Sequence, residues 1–202
     1  MSKNVMVVGT GTIGEPLIGL LAEHKDALGL DNVLFFKRTP LSDEKGKVEA
    51  LLRKGSKIVS TADALSDFKQ LGFSDIEDVE NAYEDVNVII DCTPSGNDNW
   101  KSIYSSLDQS KRFMAQGSEH GFGPFFAWGI NNDVLENDSN RYLIASCNTH
   151  NIASIVKTFA LDQSRELVEG QFVCLRRAND VSQNDSFSPS PTITKHSNQE
   201  FG

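Results

Sequence analysis

The chain has 202 residues, of which 39% are hydrophobic and 23% charged, and its formal net charge is −9 at pH 7. These values are typical of a soluble globular protein of one or two domains. No apolar run is long enough for a membrane span, and the N-terminus lacks a signal-peptide pattern. The acidic balance argues against nucleic-acid or anionic-membrane partners.

Three cysteines, at positions 92, 147 and 174, show neither metal-ligand nor disulfide spacing. This cysteine usage fits a reducing compartment. We therefore expect a cytoplasmic protein without a metal site.

The first motif is a glycine-rich turn between a short apolar strand at residues 5–8 and a helix. It reads Gly9-Thr-Gly-Thr-Ile-Gly14, which is G-x-G-x-x-G in its required context. The first glycine allows the tight turn, the second lets the backbone approach a pyrophosphate, and the third lets helix and strand pack closely. The alternative is a turn whose glycines serve packing alone. The residues predicted to bind a dinucleotide here are Gly9, Gly11, Thr12, Ile13 and Gly14.

The second strand, predicted at residues 33–36, ends in two cations. A site specific for NAD carries Asp or Glu at this point to hold the ribose 2′-hydroxyl. Here Lys37 and Arg38 follow the strand, and Asp31 lies at the wrong end. Two cations suit a 2′-phosphate, so we expect the site to accept NADP. A stronger hypothesis is that the site prefers NADP to NAD. The alternative is a solvated basic turn.

Helices and strands alternate as far as residue 91. The apolar pattern predicts helices at 43–54 and 62–71, ended by Gly55 and Gly72, and a strand at 57–60. A further helical stripe contains Ile76, Val79 and Tyr83. The apolar run at 86–90 is typical of a strand covered on both faces. Such alternation indicates an α/β fold with a doubly wound parallel sheet.

The segment after that strand reads Asp91-Cys-Thr-Pro-Ser-Gly96. Ligands of open α/β sheets bind beyond the carboxyl ends of the strands, so Thr93 and Pro94 are predicted to face the cofactor. Cys92 is interpreted as a core residue. A short helix near 100–107 and a strand at 113–116 follow, whereas the apolar stretch at 124–132 has no clear assignment.

A short apolar strand at 142–145 leads directly into a helix that begins near Cys147. Asn148 or Thr149 is predicted to cap this helix. Exposed N–H groups and the positive end of the helix dipole favour a thiolate over a thiol at Cys147. Position alone fits a nucleophile and a small buried turn residue equally well. The apolar residues with helical spacing are Ile152, Ile155, Val156 and Phe159.

The tetrapeptide Ser146-Cys-Asn-Thr149 resembles the S-C-N-T signature of the glyceraldehyde-3-phosphate dehydrogenase family, and its surroundings resemble the archaeal branch. The similarity runs from about residue 5 to residue 178. The segment at 91–96 resembles the D-A-T-P segment of that branch, and the segment at 116–121 resembles its Q-G-G-E segment. The latter implies that Gly117 lies near the cofactor.

The resemblance implies an NAD(P)-dependent phosphorylating dehydrogenase that oxidises glyceraldehyde 3-phosphate to 1,3-bisphosphoglycerate. Cys147 is the nucleophile in this interpretation. His196 is the implied base, with His150 as the competing candidate. The partners are a phosphorylated aldehyde, inorganic phosphate and, at full length, further copies of the chain. The residues implied to bind substrate are Ser146, Asn148, Thr149, Arg176 and Arg177; a guanidinium fork fits phosphate oxygens.

The last part of the chain is predicted to begin a second domain. Residues 171–175 alternate as a strand, and residues 179–202 are rich in Asn, Asp, Ser and Pro, a composition that favours disorder when taken alone. The resemblance implies a Rossmann domain at 1–146 and a truncated α+β catalytic domain at 147–202. Two alternatives stay open: a nucleotide-binding protein without turnover, and another acyl-phosphate-linked aldehyde dehydrogenase.

Overall fold

The computed structural model describes residues 2–117, 119–161 and 167–173. These residues form one parallel sheet of eight strands in the spatial order β4-β3-β2-β1-β5-β6-β8-β7. The strands are β1 (Asn4–Val8), β2 (Asn32–Phe36), β3 (Lys57–Ser60), β4 (Ile76–Asp78), β5 (Val88–Asp91), β6 (Arg112–Gln116), β7 (Phe125–Phe126) and β8 (Arg141–Ile144). The helices are α1 (Gly14–Glu23), α2 (Lys45–Arg53), α3 (Leu65–Gln70), α4 (Val79–Asp85), α5 (Gly96–Ser102) and α6 (Cys147–Val156).

The central strand β1 is buried on both faces, because successive side chains of a strand point to opposite sides of the sheet. Val5 and Val7 pack into one hydrophobic cluster with Ile18 of α1. Met6 and Val8 pack into the cluster on the other face. Helices therefore cover both faces of the sheet, and the predicted doubly wound, Rossmann-like architecture is confirmed.

The chain reverses its direction of growth across the sheet at β1. It builds outward from β1 to β4, then returns to the other side of β1 to form β5. In the register, Val8 lies opposite Phe36 of β2 and opposite Asp91 of β5. The carboxyl ends of these three strands therefore meet at the point where the strand order reverses, which is where α/β sheets of this type bind ligands.

Two short strands, β4 and β7, are not predicted from the sequence. Ile76 belongs to β4 and not to a helical stripe; the helix begins only at Val79, capped by the Asp78 side chain, which accepts a hydrogen bond from the Glu80 N–H. β7, in the unassigned segment at 124–132, has two residues and pairs with β8. Both lie at an edge of the sheet and are too short to show a hydrophobic period.

The predicted strand at 171–175 is wrong for residues 171–173, which are exposed and outside any strand. The rest of it lies outside the described residues. Val173 is 86% exposed, whereas a residue of a covered strand would be buried.

The chain divides into two units, Met1–Leu167 and Val168–Gly202. All strands and helices given above lie in the first unit, including α6, which continues as a π-helical turn at Lys157–Leu161. The division of domains between residues 146 and 147 stays a prediction. Within the described part of the chain, no helix is long and apolar enough to cross a membrane.

Candidate active site

The glycine-rich turn joins β1 to α1 with almost no spare room. Gly9 has φ +96°, a value that favours glycine, and an added Cβ would lie 3.0 Å from Thr93 Cγ2. A Cβ on Gly14 would overlap the carbonyl oxygen of Gly9. Gly9 is therefore required by the conformation of the tight turn and Gly14 by the packing of α1 against β1, as the motif predicts for its first and third positions.

The outer part of the same turn is open. A Cβ on Gly11 would meet none of the described atoms within 4 Å, and Thr12 and Ile13 are exposed. Ile13 stands at the N-cap of α1, where no side chain of the described residues accepts from the free N–H groups. An uncapped helix N-terminus behind an accessible glycine is a suitable cradle for a pyrophosphate.

A cleft of about 420 Å³ opens beyond the carboxyl ends of β1, β2 and β5. Its volume lies within the range of small-molecule sites. Four predicted cofactor-binding residues line it, namely Gly9, Lys37, Arg38 and Thr93. The remaining lining residues are Val8, Thr10, Phe36, Thr39, Leu41, Glu44, Ser95 and Asn99. Pro94 is exposed beside this wall, on the turn after β5.

Glu44 is a carboxylate in this cleft that the sequence analysis missed. Lys37 is buried, and its Nζ forms an ion pair with Glu44 Oε2. Lys47 Nζ lies 3.1 Å from Glu44 Oε1. The hydrogen bond from Lys37 is the main cause that lowers the pKa of Glu44. Of the two predicted cations only Arg38 is exposed, while Lys37 already has an anionic partner.

The far wall of the cleft is held by a buried carboxylate. Asp91, at the end of β5, accepts hydrogen bonds from the Thr93 N–H (2.8 Å), Thr93 Oγ1 (2.6 Å), Asn99 Nδ2 (2.7 Å) and Tyr104 OH (2.8 Å). Four donors on one carboxylate satisfy its acceptor capacity. Burial raises the pKa of Tyr104, so its hydroxyl remains a donor. Asp91 therefore fixes the turn that carries Thr93 toward the cleft.

The segment after β6 lies next to this turn. Gln116 Nε2 donates to the backbone oxygen of Cys92 at 2.9 Å, and Gly117 follows with φ +70°. Glu119 is buried and accepts from the Asn97 N–H of α5 at 2.7 Å. These bonds bring the predicted site residue Gly117 to the same edge of the sheet as Thr93.

Cys147 is the first residue of α6 and is exposed. The predicted caps Asn148 and Thr149 are wrong: Ser146 is the N-cap, and its Oγ accepts from the Thr149 N–H at 3.3 Å. The same Oγ lies 2.8 Å from Thr149 Oγ1. A capping hydroxyl accepts from the second or third N–H of a helix, so the observed cap lies two to three residues before the predicted caps and the helix begins at Cys147.

His150 faces a backbone carbonyl. Its Nε2 lies 3.1 Å from the oxygen of Trp128, and Lys157 Nζ donates to the oxygen of Gly129 at 2.6 Å. These contacts tie α6 and the turn after it to the loop that follows β7. One ring nitrogen of His150 is thus engaged away from the helix. Three predicted residues, Arg176, Arg177 and His196, lie outside the described residues, as does Cys174.

We expect iodoacetamide at pH 8 to label Cys147 at least about 100-fold faster than Cys92, because the thiolate is the reacting form and needs access. Cys147 is exposed, whereas burial, followed by the nearby Asp91 carboxylate, raises the pKa of Cys92 to about 12. Peptide mass spectrometry over a time course measures both rates. A Cys174→Ser variant controls for the third thiol. Similar rates at positions 92 and 147 would contradict the assignment of Cys147.

Comparison with solved structures gives only weak likenesses. A glucose dehydrogenase from Haloferax mediterranei matches with 15% identity and a TM-score of 0.43, covering 78% of this chain and 41% of that one. A thermostable alcohol dehydrogenase from Pyrobaculum aerophilum matches with 15% identity and a TM-score of 0.35, covering 78% and 40%. Likeness at this level bears on neither fold nor reaction. No protein-family model matches the sequence.

Comparison with curated sequences gives a consistent result. Glyceraldehyde-3-phosphate dehydrogenase of Pyrobaculum calidifontis is 29% identical over 161 residues, covering 78% of this chain and 44% of that protein. Its counterpart in Sulfolobus acidocaldarius is 28% identical over 180 residues (87% and 49%), and that of Pyrobaculum arsenaticum 30% over 161 (78% and 44%). The chain thus spans about half the length of these relatives. By sequence it is a distant relative of the archaeal glyceraldehyde-3-phosphate dehydrogenases.

Proposed function

We propose that the chain carries the dinucleotide site and the nucleophile of a phosphorylating aldehyde dehydrogenase whose substrate is glyceraldehyde 3-phosphate. The observation that carries the proposal is the position of Cys147. Cys147 follows the carboxyl end of β8. Gly9 and Thr93, which line the cleft, follow the carboxyl ends of β1 and β5 on the same side of the sheet. β8 is three strand spacings from β1, or roughly 14 Å. An elongated ligand in the cleft can therefore extend toward the thiol.

The cleft fits a nicotinamide dinucleotide. The open surface at Gly11 and the uncapped start of α1 suit its pyrophosphate, and the second-strand end suits its adenosine ribose. Arg38 is the exposed cation for a 2′-phosphate, so the site accepts NADP as well as NAD. When bound, the oxidised nicotinamide supplies the acceptor for a hydride.

The residues of this chain supply the covalent chemistry. The Cys147 thiolate adds to the aldehyde carbonyl to form a thiohemiacetal, and oxidation of that adduct leaves a thioester. Inorganic phosphate attacks the thioester carbonyl, which releases the acyl phosphate and restores the thiolate. His196 takes the proton from the thiohemiacetal hydroxyl, with His150 as the alternative base. Ser146, Asn148, Thr149, Arg176 and Arg177 bind the anionic groups of the substrates.

The test is reduction of the cofactor by the full chain, followed at 340 nm with glyceraldehyde 3-phosphate in the presence and absence of inorganic phosphate. The proposal requires a steady rate that depends on phosphate. A rate that is the same without phosphate would contradict the acyl-phosphate product. Other aldehydes in the same assay test the remaining enzyme alternative, a different acyl-phosphate-linked aldehyde dehydrogenase. The S-C-N-T motif makes that alternative the weaker candidate.

A second candidate is a dinucleotide-binding protein without turnover. It is favoured by the exposure of α6: among the described residues of this helix none is fully buried, and Ile155 is 44% exposed. A catalytic cysteine needs a held geometry, which a helix with little packing provides poorly. Binding of NAD or NADP without any reduction of either would support this candidate.

We expect Arg38→Ala to weaken NADP binding about tenfold or more and to change NAD binding less than about twofold. A charge-assisted hydrogen bond contributes about 1.5–3 kcal/mol, and only NADP carries the 2′-phosphate. Titration calorimetry gives both dissociation constants. The control is Arg53→Ala, which removes an exposed arginine at the end of α2. Equal weakening of both cofactors would contradict the role of Arg38.

A further inference from the structure

Glu44 lies between the glycine-rich turn and the end of β2. It follows β2 by eight residues, on a 3₁₀ turn at Ser42–Glu44, and lines the cleft beside Lys37 and Arg38. Its side chain is 27% exposed, so it is open to the cleft while both its oxygens are engaged. The carboxylate that the end of β2 lacks in sequence is thus brought there by the fold.

Two lysines hold this carboxylate, one on each oxygen. Lys37 contacts Oε2 from a buried side chain that is only 7% exposed. Lys47 contacts Oε1, and its Nζ also lies 3.3 Å from the backbone oxygen of Thr10 and 3.4 Å from Glu15 Oε2. Glu44 is therefore fixed between the end of β2 and the glycine-rich turn. Its lowered pKa, caused first by the Lys37 hydrogen bond, keeps it ionised at neutral pH.

This arrangement changes what Lys37 can do. If Lys37 lost its contact with Glu44, its buried positive charge would have no anionic partner. An unpaired charge is unfavourable in a partly desolvated site. A 2′-phosphate arriving in the cleft would compete with Glu44 for Lys37 and would meet the negative charge of Glu44. A free 2′-hydroxyl could instead donate a hydrogen bond to Glu44.

We propose that Glu44 determines cofactor choice and makes the site favour NAD over NADP, by holding Lys37 and by offering its carboxylate to a free ribose hydroxyl. NADP is accepted through Arg38 but binds less tightly. The inference rests on the proposed dinucleotide site. It keeps the predicted acceptance of NADP but opposes a preference for NADP over NAD, because the sequence shows the two cations but not the partner of Lys37.

Glu44→Gln tests the inference. The variant keeps the shape of the side chain and removes its charge, so Lys37 becomes available to a 2′-phosphate. The ratio of the NADP to the NAD dissociation constant should fall about tenfold or more, the effect of one charge-assisted hydrogen bond. Titration calorimetry on the full chain provides the ratio without any dependence on turnover.

The matched control is Glu49→Gln, which removes one negative charge from the exposed pair with Lys45, one turn further along α2. It should leave the ratio unchanged. A ratio that is also unchanged in Glu44→Gln, or that shifts toward NAD, overturns the inference. If Glu44→Gln does not fold, the unaltered protein decides: NADP binding as tight as NAD or tighter overturns the inference. Failure of the unaltered protein to bind either dinucleotide would instead overturn the proposed function.

Discussion

Gly14→Ala should destabilise the protein by about 3 kcal/mol, at the upper end of the cost of overpacking, and abolish measurable dinucleotide binding. The new methyl group would overlap the Gly9 carbonyl oxygen and lie 3.3 Å from Cys92 Cβ. Backbone atoms cannot yield as a flexible side chain does, so α1 must move away from β1. For a chain of this size the melting temperature should fall by roughly 6–12 °C.

Gly11→Ala is the matched control, since its Cβ meets none of the described atoms within 4 Å and its φ is not one that requires glycine. It should leave the melting temperature within about 2 °C. It should still weaken dinucleotide binding, because the methyl group stands where the pyrophosphate approaches. Thermal melting and titration calorimetry separate the two glycines. Equal melting temperatures for both variants would contradict the packing role of Gly14.

Cys147→Ser should lower turnover by at least about a thousandfold, because the hydroxyl is a far weaker nucleophile than the thiolate. Cofactor affinity should stay within about twofold, since Cys147 is not among the residues that line the cleft. Initial rates at 340 nm and calorimetric titration measure the two effects.

Ser154→Ala is the control for this variant. Ser154 lies on the same helix and donates to the backbone oxygen of His150 at 2.8 Å, so its loss reports on small disturbances of α6. It should retain most of the turnover. Persistence of phosphate-dependent turnover in Cys147→Ser would remove Cys147 from the mechanism.

The elements that the sequence predicts well are those whose pattern is set by burial on a regular period. The predicted strands at residues 5–8 and 142–145 agree with β1 and β8 within one residue, because buried strands of a parallel sheet are continuously apolar. The glycine-rich turn was predicted because the required glycines follow from backbone geometry that no other residue satisfies. Both features depend on residues that are close together in the chain, and such features can be predicted from a single sequence.

The features that the sequence analysis missed depend on contacts between distant segments. β4 has only one large apolar residue, Ile76, and exists because it pairs with β3. Ser146 was not identified as a cap, since Asn148 and Thr149 are equally good cap residues and only the helix geometry chooses among them. A weak signal for Glu44 was present, as an acid at the start of a helix just beyond Pro40. Only the fold brings it to Lys37.

The central position of β1 has a consequence for the order in which the chain folds. β1 can pair with β2 once the first 36 residues are available, but its other edge stays open until β5, whose residues pair with it more than 80 positions later. Pairings of this separation are slow to form, and an open hydrophobic edge is prone to wrong association. Gly9 meets Thr93 only when that edge closes. The wall of the cleft that contains Thr93, Ser95 and Asn99 therefore forms only after β5 has joined β1, so we expect the first four strands alone to bind a nucleotide more weakly than the complete sheet does.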